Sequence, residues 1–184
     1  HYPDGTEDEV TVTVKVKEQK DGYTPVASTP NQEVSHKGDP SAEASVNTKG
    51  LPEGTTYKWK DGEKPDTNTP GEKPGTVIVH YPDGTEDEVT VTVKVKEQKD
   101  EYTPVASTPN QEVSHKGDPS AEASVNTKGL PEGTTYKWKD GEKPDTNTPG
   151  EKPGTVIVHY PDGTEDEVTV TVKVKEQKDG YTPV

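Results

Sequence analysis

Valine returns at every second position along two stretches of the chain. Val77, Val79 and Tyr81 alternate with Ile78 and His80, and Val89, Val91, Val93 and Val95 alternate with Thr90, Thr92 and Lys94. Pro82-Asp83-Gly84 stands between them. Side chains on a strand point to opposite faces in turn, so period-two spacing of β-branched residues gives each stretch one apolar face. With a Pro/Asp/Gly turn between, residues 76–96 are predicted to form a β-hairpin. The same text recurs at 155–175, and its second half opens the chain at His1.

Shorter signals precede the hairpin. Residues 32–36 read as a short strand centred on Val34. Residues 39–46 read as one or two helical turns, with Asp39 as cap, Pro40 at the first helical position and Glu43 near the positive end of the dipole. Residues 51–54 form a turn, and residues 55–60 alternate with Tyr57 and Trp59 on one face. Residues 61–75 carry Pro65, Pro70 and Pro74 and read as a long, extended loop.

His1, His80 and His159 head the same text, so the chain repeats with a period of 79 residues. The overlapping copies differ at one shared position, which holds Gly22, Glu101 and Gly180. Solenoid repeats are usually ~20–50 residues, so a period this long fits a string of small whole domains. The polar, proline-bearing segment 97–109 reads as the connection between them. Complete domains are therefore expected at 22–100 and 101–179. Residues 1–21 would be the C-terminal strand of a truncated repeat, and 180–184 the start of a further one. The strand text at 10–16 could pair with 77–81 in place of 89–95, but loop closure favours the local hairpin by ~2–2.5 kcal/mol. The first copy of that strand is thus expected to lie against a neighbouring surface or to be the least ordered part of the chain.

Composition makes the core thin. Only 23% of residues are hydrophobic, Phe, Met and Cys are absent, and the net charge is -14. Leu, Ile, Val and Phe together fall below the ~20% level at which disorder is the default, and only the phasing of the valines argues for ordered β-structure. Without Cys there is no disulfide scaffold. No apolar run reaches membrane-spanning length. The acidic balance disfavours nucleic acid and anionic membranes, since like charges repel.

Candidate chemistry is sparse. Asp83, Glu86, Asp87 and Glu88 form an acidic run, but Ca²⁺ needs six to eight converging oxygens and these alternate between faces; a solvated turn is the reading. His36 and His80 have no further His or Cys at metal-ligand spacing, and alternation places His80 outward. Ser35, His36 and Asp39 are neighbours in sequence only, which does not make a triad. An isopeptide cross-link would need a lysine beside a buried carboxylate, whereas Lys94 and Lys96 alternate away from the valines. Tyr57 and Trp59 (with Trp138 in the next copy) are read as core bulk in a chain without Phe, rather than as a sugar or peptide platform. No catalytic, cofactor-binding or metal-ligating residue is expected, and no enzyme.

The residues Leu51-Pro52-Glu53-Gly54-Thr55, Thr69-Pro70-Gly71-Glu72-Lys73-Pro74-Gly75 and Val79-His80-Tyr81-Pro82-Asp83-Gly84-Thr85, with the valine run after them, resemble the Rib/alpha-like repeats of Gram-positive cell-surface proteins. The resemblance covers the whole unit, with His80 where a Thr is usual. It implies an all-β chain of tandem small Ig-like β-sandwiches, each with at most a short helical turn. It implies an extracellular stalk on a cell-wall-anchored protein, its reach set by repeat number, and assigns no ligand residue here. The expected partners are the adjacent identical repeats, in a monomeric elongated rod, without nucleic acid or membrane insertion, any host ligand being bound by another part of the parent protein. Read the other way, each repeat is itself an adhesive module for a host glycan or protein.

Overall fold

The computed structural model describes residues 1–180, so the expected start of a further repeat at 180–184 lies almost wholly outside the described residues. The elements run α1 (Gln19–Gly22), β1 (Gln32–Val34), a 3-10 turn (Glu43–Ser45), β2 (Thr56–Trp59), β3 (Gly71–His80) and β4 (Glu86–Val95). The series then repeats as α2 (Gln98–Glu101), β5 (Gln111–Val113), a 3-10 turn (Glu122–Ser124), β6 (Thr135–Trp138), β7 (Gly150–His159), β8 (Glu165–Val174) and α3 (Gln177–Gly180). The fold is all-β with single helical turns, in two four-stranded sheets ordered β1-β4-β3-β2 and β5-β8-β7-β6. The long hairpin fills the centre of each sheet. The short strands β1 and β5 add in parallel at one edge, β2 and β6 antiparallel at the other.

By packing, the chain divides into two compact units, and the division does not follow the 79-residue period. The first comprises His1–Asn31, Ser41–Lys64 and Pro74–Thr92; the second comprises Gln32–Pro40, Pro65–Lys73 and the described residues from Val93 onward. The core of the first gathers Val77, Val79, Tyr81, Val89 and Val91 against Ala42 and Val46, with Leu51, Tyr57 and Trp59 packed around them. The core of the second repeats this with Val156, Val158, Tyr160, Val168 and Val170 against Ala121 and Val125. The alternation read from the sequence is the burial pattern: Val79 and Tyr81 are sealed from water while His80 between them is exposed. Full burial of a valine side chain is worth about 1.5 kcal/mol at the low end, so a core built of valines needs both hairpin strands.

Two local expectations shift. Residues 71–75, expected in the loop, form the first half of β3 despite Pro74. The register of the second copy shows why. Tyr160 N–H donates to Thr164, and alternation along the ladder then puts Pro153, opposite Thr171, at a non-hydrogen-bonded position. Its missing N–H faces the side where β6, which pairs only with 156–159, does not reach. Next to it Gly154 admits a close approach: a Cβ there would lie 2.8 Å from the rings of Pro144 and Trp138. The helical turn also shortens to a 3-10 turn. At its start Ala44 N–H donates to Ser41 Oγ at 3.1 Å, and Ala42, not Asp39, stands at the N-cap.

Candidate functional site

The hairpin turn is held by several hydrogen bonds. Tyr81 N–H donates to Thr85 O and Gly84 N–H to Tyr81 O, each at 2.9 Å. Asp83 Oδ1 accepts from both the N–H and the hydroxyl of Thr85, at 2.9 and 2.6 Å. Gly84, at φ 90°, occupies the left-handed region that the turn requires. A second layer ties the turn to the helical turn ahead of its own copy: Gln98 N–H donates to Asp162 Oδ2 at 2.7 Å, and Asp162 N–H donates to Gln98 Oε1 at 2.9 Å. Gln19 and Asp83 repeat this reciprocal pair.

This geometry disperses the acidic run. Asp83 holds the turn, Glu86 meets His80 Nδ1 at 2.9 Å, Asp87 accepts from the Tyr81 hydroxyl at 2.7 Å, and Glu88 accepts from Lys60 Nζ at 3.1 Å. Each carboxylate has its own partner on its own side. Among the described residues no three His, Cys, Asp or Glu side chains converge as a metal would require. The Thr85 hydroxyl first, then the Gln19 and Thr85 N–H groups, hold Asp83 below the usual carboxylate range. For Asp162, burial works upward but is outweighed by the Thr164 hydroxyl, the Gln98 and Thr164 N–H groups and the nearby His36, and the net direction is downward. Burial, and then the bond to the carboxylate, push the hydroxyls of Tyr81 and Tyr160 well above the usual phenol value.

The other candidates resolve separately. Ser35, His36 and Asp39 form no relay: Ser35 Oγ donates to Glu101 Oε2 at 3.0 Å, and both ring nitrogens of His36 are buried without a hydrogen-bond partner. Tyr57 and Trp59 lie half-buried against the valine core, and in the second copy Trp138 Nε1 donates to Pro119 O at 3.0 Å. Lys94 is exposed and sits 3.8 Å from Glu33, an equally exposed carboxylate, which is not the buried setting an isopeptide bond needs. A shallow cleft of about 420 Å³ lies among Glu33, Lys94, Lys96, Glu97, Asp100 and Glu101, with both charges on its walls.

Sequence reasoning missed two pairings. The Gln98–Asp162 pair spans 64 residues, and neither residue carries a pattern that announces a partner. The Ser35–Glu101 bond did leave a trace, because position 101 is the one place where the copies differ.

Comparison with known proteins follows the same frame. The family model described as "Rib domain" matches residues 19–97 and 98–176. The chain is 38% identical over 198 residues to the C protein alpha-antigen of Streptococcus agalactiae, covering 99% of this chain and spanning 19% of that protein's length. It is 47% identical to a solved Rib structure from Streptococcus pyogenes, which aligns over its whole length with 44% of this chain at a TM-score of 0.41. With both copies matched across most of its length, the chain belongs to the Rib domain family.

Proposed function

We infer that these repeats act as spacers in a surface protein, holding another region of the same polypeptide at a distance from a bacterial cell wall. One observation carries the reading: in both copies every carboxylate of the acidic run is engaged in holding the fold. Such a unit contributes length rather than chemistry. The Rib assignment and the likeness to a streptococcal antigen support an extracellular setting. Neither catalysis nor a cofactor enters this reading. Within the chain, the partner of each copy is its neighbour.

The adhesive alternative places a ligand on each copy, with avidity from repetition. Tyr57 and Trp59 are its best platform, and their packing against the core argues against it. The two readings part in one experiment. Cells would display the same adhesive head on two, four or eight copies, with copies lacking a head as control. The spacer reading expects attachment to rise with copy number only when the head is present. Attachment of headless copies to host cells, growing with number, would replace it with the adhesive one.

A further inference from the structure

The copies of the repeat differ at one position, Gly22, Glu101 and Gly180, and each of these residues closes a helical turn. In the second compact unit Glu101 reaches back to the preceding copy, where its Oε2 accepts from Ser35 Oγ at 3.0 Å. Ser35 directly follows β1, which is fixed to β4 by the Val34–Val95 pairing and by the Lys96 N–H bond to Val34 O. Beside it His36 has both ring nitrogens closed off from water. The same histidine acts electrostatically on Asp162, whose side of the second copy's turn is nearly sealed at 8% exposure. The bond therefore sits where the end of β1 in one copy meets the helical turn and hairpin turn of the next. A glycine at this position has no carboxylate to offer and adds backbone freedom where the copies join.

We propose that position 101, with its equivalents 22 and 180, is the adjustable contact between neighbouring copies: glutamate latches Ser35 of the preceding copy, and glycine leaves that junction free. The proposal rests on the spacer reading, because only a chain used for its reach gains from setting stiffness junction by junction. An array of otherwise identical copies then carries stiff and loose joints, written by one residue each. The bond is exposed, so the expected change is modest, about two- to five-fold in the population of the docked junction.

The test uses the whole chain with spin labels on Lys49→Cys and Lys128→Cys, both exposed and in different copies of a protein without other cysteines. Pulsed electron resonance reads the distribution of distances between them, and thermal unfolding checks that every variant is folded. Glu101→Gly, Glu101→Ala and Ser35→Ala should each broaden the distribution to the same degree. Glu101→Gln, which keeps an acceptor oxygen, should stay close to native. Ser35→Ala added to Glu101→Ala should change nothing further. A narrow distribution that survives Glu101→Ala would overturn the latch and leave the spacer reading standing. Broadening by Glu101→Gly alone would also overturn it, assigning the effect to glycine's backbone. A native distribution already as wide as two freely jointed bodies would remove both.

Discussion

Residues 1–17 and 80–96 have the same sequence and different structures. Both make the turn: Tyr2 N–H donates to Thr6 O at 2.8 Å, as Tyr81 N–H does to Thr85 O at 2.9 Å, and Asp4 holds Thr6 as Asp83 holds Thr85. Only one makes the strand. Val89, Val91, Val93 and Val95 are at most 6% exposed in β4, whereas Val10, Val12, Val14 and Val16 are 73–84% exposed and belong to no strand. The turn is thus a local object, satisfied by residues within five positions of one another. The strand is a tertiary one, and valine propensity does not form it without β3 and β1 alongside. The strand beside β3 is β4 of the same hairpin, and the first copy of the strand text is not paired there.

A second comparison separates the two complete copies. Their cores match position for position, yet Asp83 is exposed and Asp162 is buried, though each holds the same threonine and the same glutamine. His36 also helps to hold the Asp162 carboxyl low, a contribution that does not act on Asp83.

The largest expected effect tests the strand. Val91→Ala removes a fully packed side chain and should lower the stability of its copy by about 2 kcal/mol. Val12→Ala, the same change in the same text, should leave the denaturation midpoint unmoved. A comparable loss at both sites would mean that the first strand is packed in solution.

Next come the tyrosines. Tyr160→Phe leaves Asp166 without its buried donor and should cost about 1–1.5 kcal/mol, whereas Tyr2→Phe, on an exposed and ladderless segment, should cost nothing measurable. Because the folded state favours the neutral phenol at Tyr81 and Tyr160, their contribution is complete below the unfolded value near pH ~10 and declines as pH rises beyond it. Ultraviolet titration should therefore show these two ionising only together with alkaline unfolding. Smooth ionisation of all tyrosines near pH ~10 would contradict the geometry.

The smallest effect tests the turn carboxylates. Asp162→Asn should cost about 1 kcal/mol, and Asp83→Asn less, since only the former is desolvated. Both carboxylates are held below their usual range, so their contribution is complete above pH ~4 and is lost as pH falls through the lower folded value. Acid unfolding of Asp162→Asn should accordingly be shallower than native as pH falls below ~4. Equal costs at the two aspartates would contradict the difference in their burial.

What was legible in the sequence was whatever depends on near neighbours. The valine alternation, the Pro-Asp-Gly turn and the 79-residue period all rest on residues close in sequence or identical in text, and each reappears in the structure. Pro74 hid half of β3, because proline argues against a strand unless its nitrogen faces an unoccupied edge, which only the register reveals. The parallel pairing of β1 with β4 joins residues some 60 apart with three residues of strand, too few for a periodic signal. Gln98 and Asp162 looked like ordinary linker and turn residues, and their reciprocal bonds come from the closure of the whole copy.

The proposed spacer role turns on whether neighbouring copies are stiffly joined. Small-angle X-ray scattering on arrays of two, four and eight copies tests it directly. If neighbouring copies dock as Ser35, Glu101, His36 and Asp162 indicate, the maximum dimension should rise in proportion to copy number, by about 30 Å or more for each. A rise with only the square root of copy number, as for flexibly joined beads, would contradict the account.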